Sequence, residues 1–196
     1  NSSSGILEIG LNEEIRIAST NLDPMRFPDS SNMQQMNQLG RLNVPKNGGD
    51  HGGDGDLDYI CGVGARSFSI WTTDLEMVWD SGHDFSQYST NNGQHLVDEM
   101  NTRDDNKGIE PEGVKVGEID GRQYLFVSME RSFGVMIYDI TDPNNPTFQQ
   151  WIQVDGSSNP EDMEFVSADV SPTGTPLLLV ANEDSGSVGI WELMLI

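Results

Sequence analysis

The chain repeats itself with a period of roughly 50 residues, and this repetition constrains the fold more than any other feature. Glu112 and Glu161 lie 49 residues apart, and Glu130 and Glu183 lie 53 residues apart. Each copy holds short apolar runs that are separated by Gly, Asn, Asp and Pro, as expected for strands joined by tight turns. A period of this size, made of such runs, is typical of the blades of a β-propeller.

The apolar runs predict an all-β chain. Residues 125–129, 135–140 and 177–181 are nearly continuous apolar stretches, as expected for strands that are buried on both faces. The 21 glycines and nine prolines favour short strands and turns over long helices. We therefore predict propeller blades at three positions, namely at about 51–85, 109–150 and 159–196.

The other segments differ in composition from the predicted blades. Residues 1–50 are interpreted as an extended, loop-rich lead-in with a short helix near residues 31–39. Residues 86–108 are rich in Asn, Asp and Gln and predict a polar connection between blades. Connections of this length are usually functional or mobile.

The length of the chain sets a limit on the number of blades. At roughly 40–50 residues per blade, 196 residues hold about three to four blades, and most propellers close with more. An open part of a propeller exposes a blade face and a strand edge, which soluble proteins seldom leave uncovered. We therefore expect the chain to be the C-terminal part of a propeller. Its partners would be the N-terminal part as a separate chain or other copies of itself.

The charge of the chain excludes some classes of partner. It has 10 Lys and Arg against 32 Asp and Glu, which gives a formal net charge of −22. Such a chain repels polyanions, so we expect the protein to bind no nucleic acid. No run approaches the roughly 20 apolar residues that a membrane helix needs, so we expect no membrane insertion. The acidic surplus itself indicates either a solvated surface or sites for hard cations.

An acidic loop is the first candidate for such a site. Asp54, Asp56 and Asp58 alternate along the chain, and Asp50 precedes them. Carboxylates at this spacing, with a flexible glycine between the first two, can turn onto one calcium ion, which takes six to eight oxygen ligands. The loop is not an EF-hand, because it lacks the glycine and the bidentate glutamate that an EF-hand requires. The alternative interpretation is a solvated acidic turn before a strand.

The repeated glutamates are the second candidate. Glu112 and Glu161 begin their blades before an apolar strand, at a position that lies near the central channel of a propeller, while Glu130 and Glu183 end the next strand. Converging acids repel one another unless cations, or Arg and Lys, neutralise them. We predict these four glutamates as metal ligands. The alternative is that Glu and Arg pair across strands and fasten the blades together.

Separate motifs lie in the segments 40–44, 49–58, 64–71, 110–113 and 177–183. Together they resemble the choice-of-anchor I domain family, and the resemblance runs from about residue 11 to 193. The family includes mesenchyme-specific cell-surface glycoproteins of biomineralising animals and secreted bacterial proteins described as atypical alkaline phosphatases. The resemblance implies a secreted or surface-anchored, seven-bladed propeller. In an extracellular protein, Asn1 would also be a candidate N-glycosylation site, because Asn1-Ser2-Ser3 fits the acceptor pattern.

Two classes of function follow from these observations. In the first, the chain is an extracellular calcium-binding module that organises a matrix, filament or other surface. In the second, channel-bound cations polarise a phosphomonoester, and basic side chains bind the phosphoryl oxygens. The candidates for that anion-binding role are Arg66, Arg103, Lys107 and Arg131. The chain has no nucleophile elbow and no Ser, His and Asp in a recognisable order, which favours the binding module.

Overall fold

Short antiparallel strands dominate the computed structural model, which describes residues 14–46, 48–64, 66–91, 105–106, 108–153 and 159–195. The chain divides into two units, one of residues 1–63 and 104–107 and the other of residues 64–103 and 108–196. The predicted all-β class is confirmed, because strands far outnumber helices and pair in several small antiparallel sheets. The number of blades in a complete propeller, and the predicted division into lead-in and blades, stay predictions.

In the first unit, the part of the chain that the structure describes forms one small sheet. Strand β1 (Glu14–Arg16) pairs antiparallel with β2 (Asn43–Pro45), and a 3-10 turn (Ile17–Ser19) and helix α1 (Ser30–Met33) lie between them. The helix is shorter than the predicted one over residues 31–39, and the side chain of Gln34 at its C-terminal end donates to the backbone carbonyls of Ile17 and Thr20. A small apolar cluster forms the core of this unit from Ile17, Leu22, Val44 and Leu57.

The described residues of the second unit form three antiparallel sheets. The first has two strands, β3 (Ser69–Trp71) and β4 (Met77–Asp80). The second has four strands in chain order, β5 (Pro111–Ile119), β6 (Arg122–Met129), β7 (Gly134–Asp139) and β8 (Thr147–Gln153). The third has three strands in chain order, β9 (Pro160–Val166), β10 (Leu177–Asn182) and β11 (Ser187–Glu192). A single hairpin or sheet layer is marginal in water, so these sheets need one another for stability.

The two inner strands of the four-stranded sheet, β6 and β7, are buried on both faces, which explains their continuous apolar runs. Successive side chains of a strand point to opposite faces. Leu125 and Val127 pack in one cluster with Phe68, which precedes β3. Phe126 packs in a second cluster with residues of β9 and β10, and its ring stacks on Phe165 with the ring centroids 6.0 Å apart. The four-stranded sheet therefore lies between its two neighbours.

Helix α2 (Asp84–Asn91) occupies part of the segment that the sequence predicts as a polar connection. Phe85 is fully buried in the first cluster, and Tyr88 stacks on Phe148 with the ring centroids 3.9 Å apart. Because residues three apart share one face of a helix, these two aromatic rings give the polar segment an apolar side. Among the described residues, no helix is both long enough and apolar enough to cross a membrane.

Candidate metal centre

Five glutamates of the second unit converge at the seam between the four-stranded and the three-stranded sheet. Glu110, Glu112 and Glu130 form one group of three, and Glu130, Glu161 and Glu183 form another. Within each group, one carboxylate oxygen from each residue lies within 4.8 Å of the others. Glu130 belongs to both groups, so its carboxyl group joins them into one cluster, which we call the glutamate cluster.

The repeat positions these side chains in the same way in each copy. Glu112 and Glu161 lie at the starts of β5 and β9, whereas Glu130 and Glu183 follow the ends of β6 and β10. The amide of Glu130 donates to the Glu110 carbonyl at 3.0 Å, and the amide of Glu183 donates to the corresponding carbonyl of Asn159 at 2.9 Å. One conserved backbone contact within the repeat therefore brings the end of each second strand to the start of the first.

The residue before each first strand has an unusual backbone conformation. Glu110 and Asn159 have φ values of 50° and 60°, and each precedes a proline. Positive φ is uncommon outside glycine, and residues held in such regions concentrate at functional sites. The turn at both positions redirects the chain into the strand beside the glutamate cluster.

Arg131 lies inside the cluster and neutralises part of it. Its Nε donates to Oε2 of Glu110 at 2.8 Å, and its Nη2 donates to Oε1 of Glu130 at 2.7 Å. The arginine side chain is only 13% exposed. In the second copy, the residue equivalent to Arg131 is Asp184, which accepts a hydrogen bond from Asn159 at 2.9 Å. The pairing of Glu with Arg that the sequence suggests is thus present in the first copy.

The remaining negative charge raises the pKa values of two carboxyl groups. Burial, a hydrogen bond with Glu110 and the neighbouring carboxylates raise the pKa of Glu130 to about 8, against the opposing effect of Arg131. A hydrogen bond with Glu161 and repulsion by the same carboxylate raise the pKa of Glu183. These carboxyl groups lie close enough to repel one another, and a proton on one of them reduces the repulsion.

The two sheets approach each other closely beside the cluster. The amide of Gly113 donates to Oγ of Ser128 at 2.8 Å, and this hydroxyl donates to the carbonyl of Glu161 in the other sheet at 3.3 Å. A Cβ atom at Gly113 would stand 2.8 Å from the same carbonyl oxygen, so only glycine fits. The positions of the glutamates therefore depend on the packing between the sheets.

A pH dependence of stability follows from Glu130. In a chelating buffer, we expect the free energy of unfolding to fall as the pH rises from about 4.5 to about 8. In this window the folded chain keeps a proton that the unfolded chain releases, so the folded state binds more protons and loses stability with rising pH. Carboxyl groups of lowered pKa, such as Asp80 and Asp139, titrate below this window.

Urea denaturation at a series of pH values measures this dependence. Glu130→Gln keeps a neutral side chain of similar shape, so its stability should change less across the same window. A wild-type stability that rises between pH 5 and 8 would contradict the raised pKa of Glu130.

The acidic loop of the first unit has a different arrangement. The Asp58 carboxylate accepts from the amides of His51 at 2.8 Å and Gly52 at 3.1 Å, which lowers its pKa even though desolvation acts in the opposite direction. Asp50 likewise accepts two amide hydrogen bonds within the loop. Desolvation and the neighbouring Asp54 carboxylate raise the pKa of Asp56. Asp50 and Asp58, two of the four predicted ligands, therefore stabilise the conformation of the loop through backbone hydrogen bonds.

Both groups of three candidate ligands found among the described residues belong to the glutamate cluster, and neither includes an aspartate of the loop. Calcium binding by Asp50, Asp54, Asp56 and Asp58 stays a prediction. The four repeated glutamates that the sequence selects do come together. The repeat does not reveal Glu110 as a member of the cluster, because its equivalent in the second copy is Asn159, which has no carboxylate.

The structure describes two of the four predicted anion-binding residues, Arg66 and Arg131. Arg131 is engaged by two carboxylates of the cluster. The guanidinium of Arg66 lies against Gly108, where it leaves no room for a Cβ atom. Arg103 and Lys107, like the candidate glycosylation site Asn1, lie outside the described residues. A phosphate-binding role of these side chains stays a prediction.

Comparisons with known proteins give one family and one named relative. The family model of the choice-of-anchor I domain matches residues 10–143, which include Glu110, Glu112 and Glu130. Gigasin-3a of Magallana gigas is 27% identical over 185 residues, and the match covers 79% of this chain and 64% of that protein. The chain thus spans slightly less than two thirds of this relative. No solved structure matches. The family match indicates a surface or extracellular module.

Proposed function

This chain belongs to the choice-of-anchor I domain family, and we propose that it is an extracellular module that binds calcium at the glutamate cluster. The observation that carries the proposal is the convergence of five carboxyl groups around Glu130, among which the guanidinium of Arg131 also lies. Such a concentration of carboxyl groups favours the binding of a proton or a cation.

The chemistry of the donors favours calcium over other metals. Every candidate ligand in the cluster is a carboxylate, and hard oxygen donors suit calcium, whereas zinc sites in proteins usually include nitrogen or sulfur. Calcium takes six to eight oxygens in a flexible geometry, and carboxylates bind it through one or both oxygens. Magnesium demands a nearly ideal octahedron and usually keeps several waters, which suits a cluster of five converging side chains less well.

The place of the cluster supports a structural role. Glu112 and Glu130 come from the four-stranded sheet, and Glu161 and Glu183 come from the three-stranded sheet. A cation held by both pairs would connect the two sheets. The net charge of −22 gives the module an acidic surface that attracts further cations or basic partners. We therefore propose a structural role in an extracellular matrix or in surface interactions, together with further parts of the propeller.

A metal-dependent phosphomonoesterase is the alternative, and the site supports it less. A phosphoryl group needs donors that are free to bind its oxygens. Arg131, the basic side chain within the cluster, is engaged by Glu110 and Glu130. A bound cation would therefore lie beside carboxylates and a paired arginine.

Isothermal titration calorimetry of the chelator-treated chain tests the proposal. We expect saturable calcium binding with a dissociation constant of about 10⁻⁴–10⁻³ M, the range of extracellular modules, and at least roughly tenfold weaker binding of magnesium. The same samples are assayed with p-nitrophenyl phosphate at saturating calcium. Absence of calcium binding would exclude the proposed site, and calcium-dependent hydrolysis would favour the phosphomonoesterase.

A further inference from the structure

The glutamate cluster consists of two overlapping groups, namely the first group (Glu110, Glu112 and Glu130) and the second group (Glu130, Glu161 and Glu183). The two groups differ at the position of Arg131. Its guanidinium contacts Glu110 and Glu130 of the first group, at 2.8 Å and 2.7 Å, and the side chain is only 13% exposed. In the second copy of the repeat this position is Asp184, which has the opposite charge. Because an arginine is always charged, the first group already contains a fixed cation.

Asn182 adds an amide oxygen beside the second group. It is the last residue of β10, directly before Glu183, and it is 4% exposed. Among the described residues, no donor lies within hydrogen-bonding distance of its buried Oδ1 atom. A buried acceptor is unfavourable unless a donor, a water molecule or a cation binds it. In the first copy the equivalent residue is Met129, which has no such oxygen.

The hydrogen bonds of the Asn182 amide group orient its oxygen. The Nδ2 atom donates to the carbonyl of Val180 and to the carbonyl and hydroxyl of Ser187 in β11, at 3.3 to 3.5 Å. Oδ1 and Nδ2 point in different directions from the terminal carbon, so Oδ1 faces away from Ser187 and β11. On the other side of β10 lies β9, where Asn182 pairs with Pro160, the residue before Glu161. The oxygen is therefore directed to the side from which Glu161 enters the cluster.

We propose that one calcium ion binds in the second group, with Oδ1 of Asn182 as a ligand in addition to the three carboxylates. Arg131 takes the place of a second ion in the first group. Calcium accepts carbonyl oxygens of asparagine beside carboxylates, and its flexible geometry suits such a mixed set of ligands. Glu183 is exposed, so an ion can reach the second group from solvent. This inference rests on the proposed function, which it extends by naming the half of the cluster that holds the ion and the residue that limits the number of ions.

Exchange of the residues at the Arg131 position between the two copies tests the proposal. Calorimetric titration of the chelator-treated full chain with calcium counts the ions bound. We expect Arg131→Asp to bind one ion more than the wild-type chain. Asp184→Arg should bind one ion fewer, because its guanidinium would neutralise the second group as Arg131 neutralises the first. Asp74→Arg is the matched control, because it changes the charge equally in the exposed turn between β3 and β4 and should bind as many ions as the wild type.

Asn182→Met tests the additional ligand without a change of charge. The first copy has methionine at the equivalent position, Met129, so the sheet should accommodate it. We expect the dissociation constant for calcium to rise about tenfold, with the number of ions unchanged. The stability of this variant in chelator should stay close to that of the wild type. A purely structural role of Asn182 would give the opposite pattern, with lower stability in chelator and an unchanged dissociation constant.

The same titrations separate this inference from the proposed function. If the wild-type chain and Glu130→Gln bind the same number of ions, the proposed function is wrong, and this inference is wrong with it. If Glu130→Gln loses an ion but Arg131→Asp gains none, or Asp184→Arg keeps the affinity of the wild type, calcium binds to the cluster and its assignment to the second group is wrong. An unchanged dissociation constant for Asn182→Met would exclude Asn182 as a ligand.

Discussion

Replacement of Glu130 by glutamine should abolish stabilisation of the chain by calcium. At calcium concentrations of about 10 to 100 times the dissociation constant, binding adds about 1.4 to 2.7 kcal/mol to the free energy of unfolding of the wild-type chain. For a chain of 196 residues this corresponds to a rise of roughly 3 to 11 °C in Tm. Glu130 is the carboxyl group common to both groups of three, so its loss affects every ligand set of the glutamate cluster.

The glutamine variant is suited to this test because it should fold. Glu130 is 4% exposed, and its raised pKa keeps the side chain protonated near neutral pH without a cation. Glutamine is also neutral and has a similar size, so stability in chelator should remain close to that of the wild-type chain. Differential scanning calorimetry with and without calcium measures both quantities.

Asp56→Asn is the matched control for the second candidate site. It removes a carboxylate from the acidic loop of the first unit and leaves the glutamate cluster intact. We expect this variant to retain the calcium-dependent rise in Tm. If Asp56→Asn loses that rise and Glu130→Gln keeps it, calcium binds to the loop, and the cluster assignment is wrong.

Phe126→Ala should cause the largest loss of stability. Phe126 is fully buried between the four-stranded and the three-stranded sheet, where it stacks on Phe165. Truncation of a buried phenylalanine removes its apolar contacts and leaves a cavity, at a cost of about 3–5 kcal/mol. The total stability of a domain is roughly 5–15 kcal/mol, so the variant should be close to unfolding. Urea denaturation in the presence of calcium measures the loss.

Val116→Ala is the control for the loss of apolar contacts. Val116 lies in β5 and is 49% exposed, so its truncation should change the free energy of unfolding by less than about 0.5 kcal/mol. A cost below about 1 kcal/mol for Phe126→Ala would show that the two sheets do not pack at this position. Because both sheets contribute glutamates, Phe126→Ala should also weaken calcium binding, even though Phe126 is not a candidate ligand.

The repeat explains why part of the fold and of the candidate site could be predicted. Glu112 and Glu161 are separated by about one repeat, as are Glu130 and Glu183. Each pair is therefore expected at equivalent positions of two equivalent sheets, and the structure brings all four side chains together. Repetition carries no information on positions that differ between the copies. Glu110 was missed for that reason, and its side chain pairs with an arginine where its equivalent pairs with an aspartate.

Local contacts outside the repeat were harder to predict. The spacing of the aspartates in the acidic loop does not reveal that backbone amides occupy the carboxylate of Asp58. The polar composition of residues 86–108 likewise does not predict the helix that extends into this segment. Phe85, which packs this helix into the apolar cluster, lies just before the segment. In both cases the decisive contact is made by a neighbouring group, and composition alone does not identify that group.

The glutamates at the seam between the two sheets affect how firmly the sheets hold together. Two glutamates on each side of the seam face one another, and the repulsion between their carboxylates opposes the packing of the sheets. The apolar cluster between the sheets holds them together. A proton or a cation at the glutamate cluster would reduce this repulsion. We therefore expect the strength with which the two sheets hold together at this seam to depend on pH, since the Glu130 carboxyl group has a raised pKa.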